Sequence, residues 1–525
     1  MRVALVTAMF GAFSLCVGGC SKGGAGNVLD ASAMRPSSGP NVAGNTPTAT
    51  QDAASGTGAD AANGSHLVND AGGSPIQCSD LFDQSILPTF SIEITADNWA
   101  KLTADFNDLK DVLAGTPPAT YYPITFHYGT ETVTDAAIKL RGKSSWVNTV
   151  LYDASPKMQF DISFDQINPK GKFHGESSIR LSMPRDDWTF INNRVGDNWL
   201  RKIGLAAPCA SSATLTVNGT YYGLYVLEGS VGKALLKQYF PNNYSGDLFK
   251  GGTQAETNTS NPNWARLDAL NAATDITTLR TLVDIPNTVL EWAAEAVVED
   301  CDGYYGASHN YYVYDQGTPG WVWITDHTDS ALEWAEIFTG VSYKEHPLYW
   351  WAGRVATDPP GTDYLIVMND PGARQQYVNA IATQVAKWDP NEISGWVDAW
   401  SSQIAAALAA DPHKWATVTQ SQMAVASLLD MIKNRPAYLQ SFVSCEQGNA
   451  ADTTDADGDG VPWCNDCDDS NAAVHPGVPE ICGNHIDDNC NGVVDENCPG
   501  ETPGYPNEPA GDAGAGSPID AGVKG

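Results

Sequence analysis

Apolar and polar residues alternate through Met158, Phe160, Ile162 and Phe164, the period of a strand that buries one face. Residues 90–94, 121–128 and 137–141 carry similar runs, so the first half of the chain reads largely as sheet. Residues 213–217 and 221–227 flank Asn218-Gly219, a pair that tolerates the positive φ angles of a type I′ turn, and so predict a hairpin. Helical spacing appears at residues 190–203, stopping at Gly204, and again at 289–298, 393–409 and 423–432. These elements predict an α+β body over residues 76–445, with a sheet-rich N-terminal lobe and a helix-rich C-terminal lobe, because the segment is too long for one ordinary core.

The pattern changes on both sides of this body. Met1-Arg2 leads into an apolar run from Val3 to Val17, closed by Val17-Gly18-Gly19-Cys20, which reads as a secretory signal over residues 1–19. Small residues before a cysteine resemble a bacterial lipobox, which implies that Cys20 is acylated and becomes the mature N-terminus. Ser21 after it favours the outer membrane, and no second apolar run approaches the ~20 residues of a membrane span. The expectation is an exported lipoprotein, held to the membrane by its anchor alone. Residues 20–75 and 499–525 are small, polar and Pro/Gly-rich, and predict disordered segments.

The net charge of −33 is at odds with nucleic-acid binding, which needs a basic face. Much of the acid lies in residues 452–498, where the stretch Asp452 to Glu496 holds twelve Asp or Glu and no Lys or Arg. Asp455, Asp457 and Asp459 alternate, Gly460 takes the sixth position and Asp466 the twelfth. This is the layout of a loop that wraps oxygen ligands around Ca²⁺. It recurs as Asp487, Asn489, Asn491 and Gly492, with Asp495 read as the further ligand and Glu496 beside it. The segment has hardly any apolar residues, so calcium and disulfides must hold it together. The spacing predicts calcium binding in the weak extracellular range, on the order of 10⁻⁴ to 10⁻³ M.

Of eleven cysteines, nine remain after Cys16 and Cys20, and an exported location permits disulfides. Cys464, Cys467, Cys482, Cys490 and Cys498 crowd the acidic module. For Cys464-x-x-Cys467, disulfide bonding is favoured over a zinc or redox pair. A clasp from Cys78 to Cys445 would close the body, and an odd count leaves one thiol over.

Within the body, several motifs together resemble the CotH family of spore-coat-type kinases, which have an atypical protein-kinase-like fold. They are Ile138-Lys-Leu-Arg-Gly-Lys-Ser-Ser-Trp146, Lys157 heading a strand, and Leu181-Ser-Met-Pro184 before Asp186 and Asn193. After them come Val217-Asn-Gly-Thr-Tyr-Tyr-Gly-Leu-Tyr225 with Glu228, Asp302 ahead of His309-Asn-Tyr-Tyr-Val-Tyr314, and Trp323-Ile-Thr-Asp326. The resemblance implies phosphoryl transfer from ATP, with Mg²⁺ or Mn²⁺, to Ser or Thr of a secreted or surface protein. It makes Asp302 the catalytic carboxylate, Asp326 the metal ligand with Asp329 near it, and Asn310 a metal-side amide. Lys157 becomes the phosphate-contacting cation and Glu228 its partner or a metal ligand, while the turn from Arg141 to Ser145, Ser144 included, covers phosphates. Lys157 as an exposed strand residue and Glu228 as a structural salt-bridge partner are the plainer readings, and His309 and His327 read as structural. The family's Trp-Asp-x-Asp motif is altered to Thr325-Asp326-His327-Thr328-Asp329, which leaves a second expectation open: a surface adhesion or scaffold protein that has lost catalysis.

Overall fold

The computed structural model describes residues 78–115, 117–185, 187–318, 320–332, 348–349 and 361–499. The signal sequence, Cys20, the linker, Asp186 and all but the first residue of the C-terminal tail lie outside the described residues. The N-terminal lobe is a closed barrel with strand order β1-β2-β3-β4-β5-β7-β6. The strands are β1 (Thr89–Glu93), β2 (Tyr122–Tyr128), β3 (Glu131–Leu140), β4 (Phe160–Ser163), β5 (Ser178–Ser182), β6 (Ala210–Val217) and β7 (Thr220–Gly229). Parallel pairing of β1 with β6 closes it, and the other neighbours are antiparallel. Phe90, Phe126, Phe160, Ile162, Leu181 and Leu227 fill the interior.

Local chemistry accounts for these elements. Asn218 and Gly219 both take positive φ, at 49° and 80°, and join β6 to β7 as the hairpin reading requires. Met158, Phe160, Ile162 and Phe164 are all buried, though the strand itself covers only 160–163. β3 begins well before the apolar residues that reveal it, because its first half, Glu131 to Asp135, is largely exposed and is paired through the backbone of β2.

A second sheet, in the order β11-β10-β8-β9, is built from β8 (Leu248–Lys250), β9 (Gln254–Ala255), β10 (Tyr311–Asp315) and β11 (Trp321–Thr325). It packs with helices Ile285–Val297, Pro371–Lys387, Pro390–Ala410 and Val418–Glu446 around a large core that includes Trp292, Tyr305, Tyr377 and Leu428. The last helix runs through Pro436, well past the stretch that its spacing suggests. Proline cannot donate to the Ile432 carbonyl one turn back, and the Trp388 indole N–H donates to it instead at 3.0 Å. No helix among the described residues is long and apolar enough to cross a membrane.

Among the described residues, four disulfides join Cys78 to Cys209, Cys445 to Cys464, Cys467 to Cys490 and Cys482 to Cys498. The expected Cys78–Cys445 clasp is therefore corrected. Cys78 staples the start of the barrel lobe to β6, and Cys445 ties the last helix to the acidic module. Cys301, buried in the helical lobe, forms no disulfide.

Candidate functional site

The two sheets meet at Asp326. Antiparallel pairing of Tyr311 with Thr325 puts Asn310 and Asp326 side by side at one end of the β10–β11 pair, and the Asp326 N–H donates to the Asn310 carbonyl at 2.7 Å. Arg180, projecting from β5 of the barrel, reaches Asp326 Oδ1 at 2.6 Å, and Lys250, at the end of β8, reaches Oδ2 at 2.6 Å. Burial alone would raise the Asp326 pKa, but these two cations hold it well below the usual carboxylate range. An almost fully buried carboxylate is thus kept ionised by partners from both sheets.

Asp302 stands close by and differs in exposure. Its side chain is 44% exposed, with Oδ1 2.9 Å from His309 Nδ1 and Oδ2 accepting from Asn310 Nδ2 at 2.7 Å. Asn310 therefore links Asp302 and Asp326 through its side chain and its backbone. Glu228, on β7 opposite Arg180, is engaged by Arg141 at 3.1 Å and by Ser182 and Asn193. Asn193 continues to the Thr328 N–H, which donates to its Oδ1 at 2.8 Å. His327 lies 2.6 Å from Asp329. Burial would lower the His327 pKa, yet Asp329, Asp326 and Glu228 push it up to about 10, so it enters the cluster as a cation. Arg141 turns its guanidinium to Glu228 and Asp161, and Ser144 opens the helix Ser144–Tyr152 that follows.

Asp326 is held from behind by helix Ile285–Val297. Glu291 accepts the Thr325 N–H at 2.9 Å, and Glu295 accepts the Thr325 hydroxyl at 3.0 Å and the Tyr305 N–H at 2.7 Å. Burial pushes Glu291 up to about 8 and Glu295 up to about 7, from an ordinary value of 4.5. Groups whose folded pKa is raised contribute stability that is complete below the unfolded value and is lost as pH rises through the folded one. The melting temperature of the body is therefore expected to fall between about pH 5 and pH 8. Thermal unfolding as a function of pH checks this, and Glu291→Gln with Glu295→Gln should flatten the slope.

Lys157 does not join the site. Its ammonium is fully buried 2.6 Å from Asp411, donates to the Leu224 carbonyl, and lies 4.4 Å from the centre of the Tyr225 ring. Burial lowers its pKa to about 8 against the pull of Asp411. The expected phosphate contact and the pairing with Glu228 are both corrected: Asp411, 254 residues away, claims the lysine, and Glu228 pairs with Arg141. Gly223 is small for the same reason, since a Cβ there would lie 2.7 Å from both Lys157 Nζ and Asp411 Oδ2.

Residues 138–439, which include every one of these groups, match the family model described as CotH kinase protein. The chain belongs to the CotH kinase protein family. Among curated proteins, none matches the chain. Within the CotH domain, the residues that sequence reasoning missed are Arg180, Lys250 and the buried Asp411. Arg180 shows only as a charge between Ile179 and Leu181, which in a strand reads as a solvated face.

Residues 466–496 match a second family model, the Cu-binding MopE metal-binding motif. Most of the donors in this module are carboxylate and amide oxygens, with the imidazoles of His475 and His485 beside Asp459 and Asp495. In the first loop, carboxylate oxygens of Asp455, Asp457 and Asp459 lie within 4.8 Å of one another. Buried oxygens of Asp457, Asp459 and Asp466 have no hydrogen-bond partner among the described residues, which fits a cation held among them. Burial raises Asp466 to about 6, with Asp459 and Asp457 adding to it. In the second loop, Asp487 accepts the N–H groups of Asn491 and Gly492, while Asn489 and Asn491 both donate to Glu496. Asn489 Oδ1 and Glu496 Oε2 are buried without hydrogen-bond partners among the described residues. Asp495, the expected ligand, accepts the Gly483 N–H and lies 3.4 Å from His485. Cys467 and Cys490 lie close to Asp466, but their sulfurs are joined in a disulfide and offer no thiolate.

Proposed function

We propose that this CotH protein transfers the γ-phosphoryl group of ATP to Ser or Thr hydroxyls of secreted or surface proteins. The observation that carries this reading is the pairing of an open carboxylate, Asp302, with a buried one, Asp326, flanked by Arg180 and Lys250. ATP with Mg²⁺ or Mn²⁺ would supply the phosphoryl group and the divalent charge that neutralises it. Asp326 and Asp329 are the carboxylates that would hold the metal. Arg180 and Lys250, in place of Lys157, are the cations that can turn from Asp326 to phosphate oxygens. Asp302, oriented by Asn310 and His309, takes the proton of the incoming hydroxyl, and its exposure lets a protein substrate reach it. Incubating the purified chain with γ-labelled ATP and Mn²⁺ tests this: label on a protein substrate or on the chain itself is the expected result. The reading fails if neither is labelled.

One observation favours a second reading, a surface scaffold without catalysis. Both oxygens of Asp326 are already engaged by cations, and the altered Asp326-His327-Thr328-Asp329 spacing places a charged imidazole among the carboxylates. Absence of any nucleotide-induced rise in melting temperature with Mg²⁺ or Mn²⁺ would select it.

The proposed setting is export as a lipoprotein anchored through Cys20. For the module we propose Ca²⁺, because carboxylate and amide oxygens suit a hard cation and no thiolate is offered. Saturating calcium, at about 100 times its dissociation constant, should stabilise the module by about 2.7 kcal/mol. Limited proteolysis with calcium and with chelator checks this. Equal cleavage in both would remove the assignment.

A further inference from the structure

The second loop of the module is built against the CotH domain, on the helix that seats the catalytic segment. At Gly492 a Cβ would lie 2.5 Å from Leu365 Cδ2, so the loop backbone rests directly on that side chain. Asn369, which caps helix Thr362–Met368, donates from Nδ2 to the Asn491 carbonyl at 3.4 Å. The Cys467–Cys490 and Cys445–Cys464 disulfides tie the loop back to the last helix of the domain and keep it in place.

The other side of helix Thr362–Met368 faces Tyr304. Gly361 allows the Tyr304 hydroxyl to approach, since a Cβ there would be 1.9 Å from it, and that hydroxyl donates to Asp363 at 3.4 Å. The Tyr304 ring lies 4.6 Å from Tyr311 and 5.4 Å from Trp323. Tyr304 follows Asp302 by two residues, Tyr311 follows Asn310 directly, and Trp323 precedes Asp326 by three. One short helix thus touches the cation loop on one side and, on the other, an aromatic cluster shared by all three segments that bear the site.

We propose that cation occupancy of the Asp487–Glu496 loop and nucleotide occupancy of the Asp302/Asp326 centre are positively coupled through helix Thr362–Met368. Without a cation, the buried atoms Asn489 Oδ1 and Glu496 Oε2 lack hydrogen-bond partners among the described residues. A bound cation draws these groups together, fixes the Asn491-Gly492 backbone and so fixes Leu365 and Asn369 beneath it. The seat of Tyr304 is then already ordered when nucleotide arrives, and less ordering remains for the nucleotide to impose. The inference rests on the metal-binding and nucleotide-binding readings above.

The test uses the full chain, calcium chloride as the cation and a non-hydrolysable ATP analogue with Mg²⁺. Calcium is expected to slow hydrogen exchange at residues 303–305 and 361–369 as well as in the module. It should also tighten analogue binding about fivefold or more, and by reciprocity the analogue tightens calcium binding by the same factor. Glu496→Gln, which disables only the second loop, should abolish the protection at 303–305. Asn369→Ala and Leu365→Ala should keep calcium binding, read by calorimetry, and lose the protection and the coupling. Protection confined to residues 452–498, or protection at 303–305 that survives Glu496→Gln, overturns the proposal. If the analogue does not bind at all, the kinase reading fails, while exchange at 303–305 still decides the route.

Discussion

Asp302→Asn is expected to lower kcat for phosphoryl transfer by about 10²- to 10⁴-fold, the usual contribution of a positioned general base. Nucleotide affinity and melting temperature should stay near those of the parent chain. The reason is exposure: the Asp302 side chain is 44% open, and its contacts to His309 and Asn310 are hydrogen bonds that an amide can partly keep. Asp326→Asn should behave differently. It removes the charge that holds Arg180 and Lys250, so nucleotide and metal binding should weaken together with turnover. Steady-state kinetics with calorimetric titration of nucleotide separates the two variants. Equal loss of binding in both would contradict the division of roles.

Lys157→Met is expected to destabilise the body by about 3–5 kcal/mol, because it leaves Asp411 buried with no opposing charge. Asp411 accepts the Leu224 and His413 N–H groups as well, so the carboxylate cannot move to water without disturbing β7. The double variant Lys157→Met with Asp411→Asn should recover part of the loss, since no charge is left buried and the amide oxygen can still accept one of these N–H groups. Denaturant unfolding measures both. If Lys157 served the phosphates instead, the single variant would lose nucleotide affinity and keep its stability. The pair also joins the barrel lobe to the end of helix Pro390–Ala410, so its loss should loosen the lobes relative to each other.

How far these features could be read in advance follows the range of the physics. The Asn218-Gly219 hairpin was legible because its cause, two positive φ angles, is local. The clustering of Asp455, Asp457 and Asp459 was legible because the acidic and turn positions follow one another within twelve residues. Lys157 was misassigned because its partner is 254 residues away, and no local pattern marks a lysine as buried. Arg180 and Lys250 escaped for a related reason: a charge in a strand reads as solvated until closure of the barrel brings β5 against the second sheet at Asp326. In the second loop the spacing pointed to Asp495, whose side chain meets Gly483 and His485 while Glu496 meets Asn489 and Asn491. Cys498 occupies the position where the first loop has Asp466, and it is taken up in a disulfide with Cys482. The disulfide pattern was the least legible, since nine thiols allow many pairings and only the fold selects among them.

The centre formed by Asp326, Asp302, Arg180 and Lys250 is tested most directly by anomalous diffraction from crystals of the full chain grown with Mn²⁺ and a non-hydrolysable ATP analogue. The account predicts a manganese peak about 2.1 Å from an Asp326 oxygen, with Arg180 and Lys250 turned to the phosphates. Manganese confined to the Asp455–Glu496 loops, with Asp326 still paired to both cations, would contradict it.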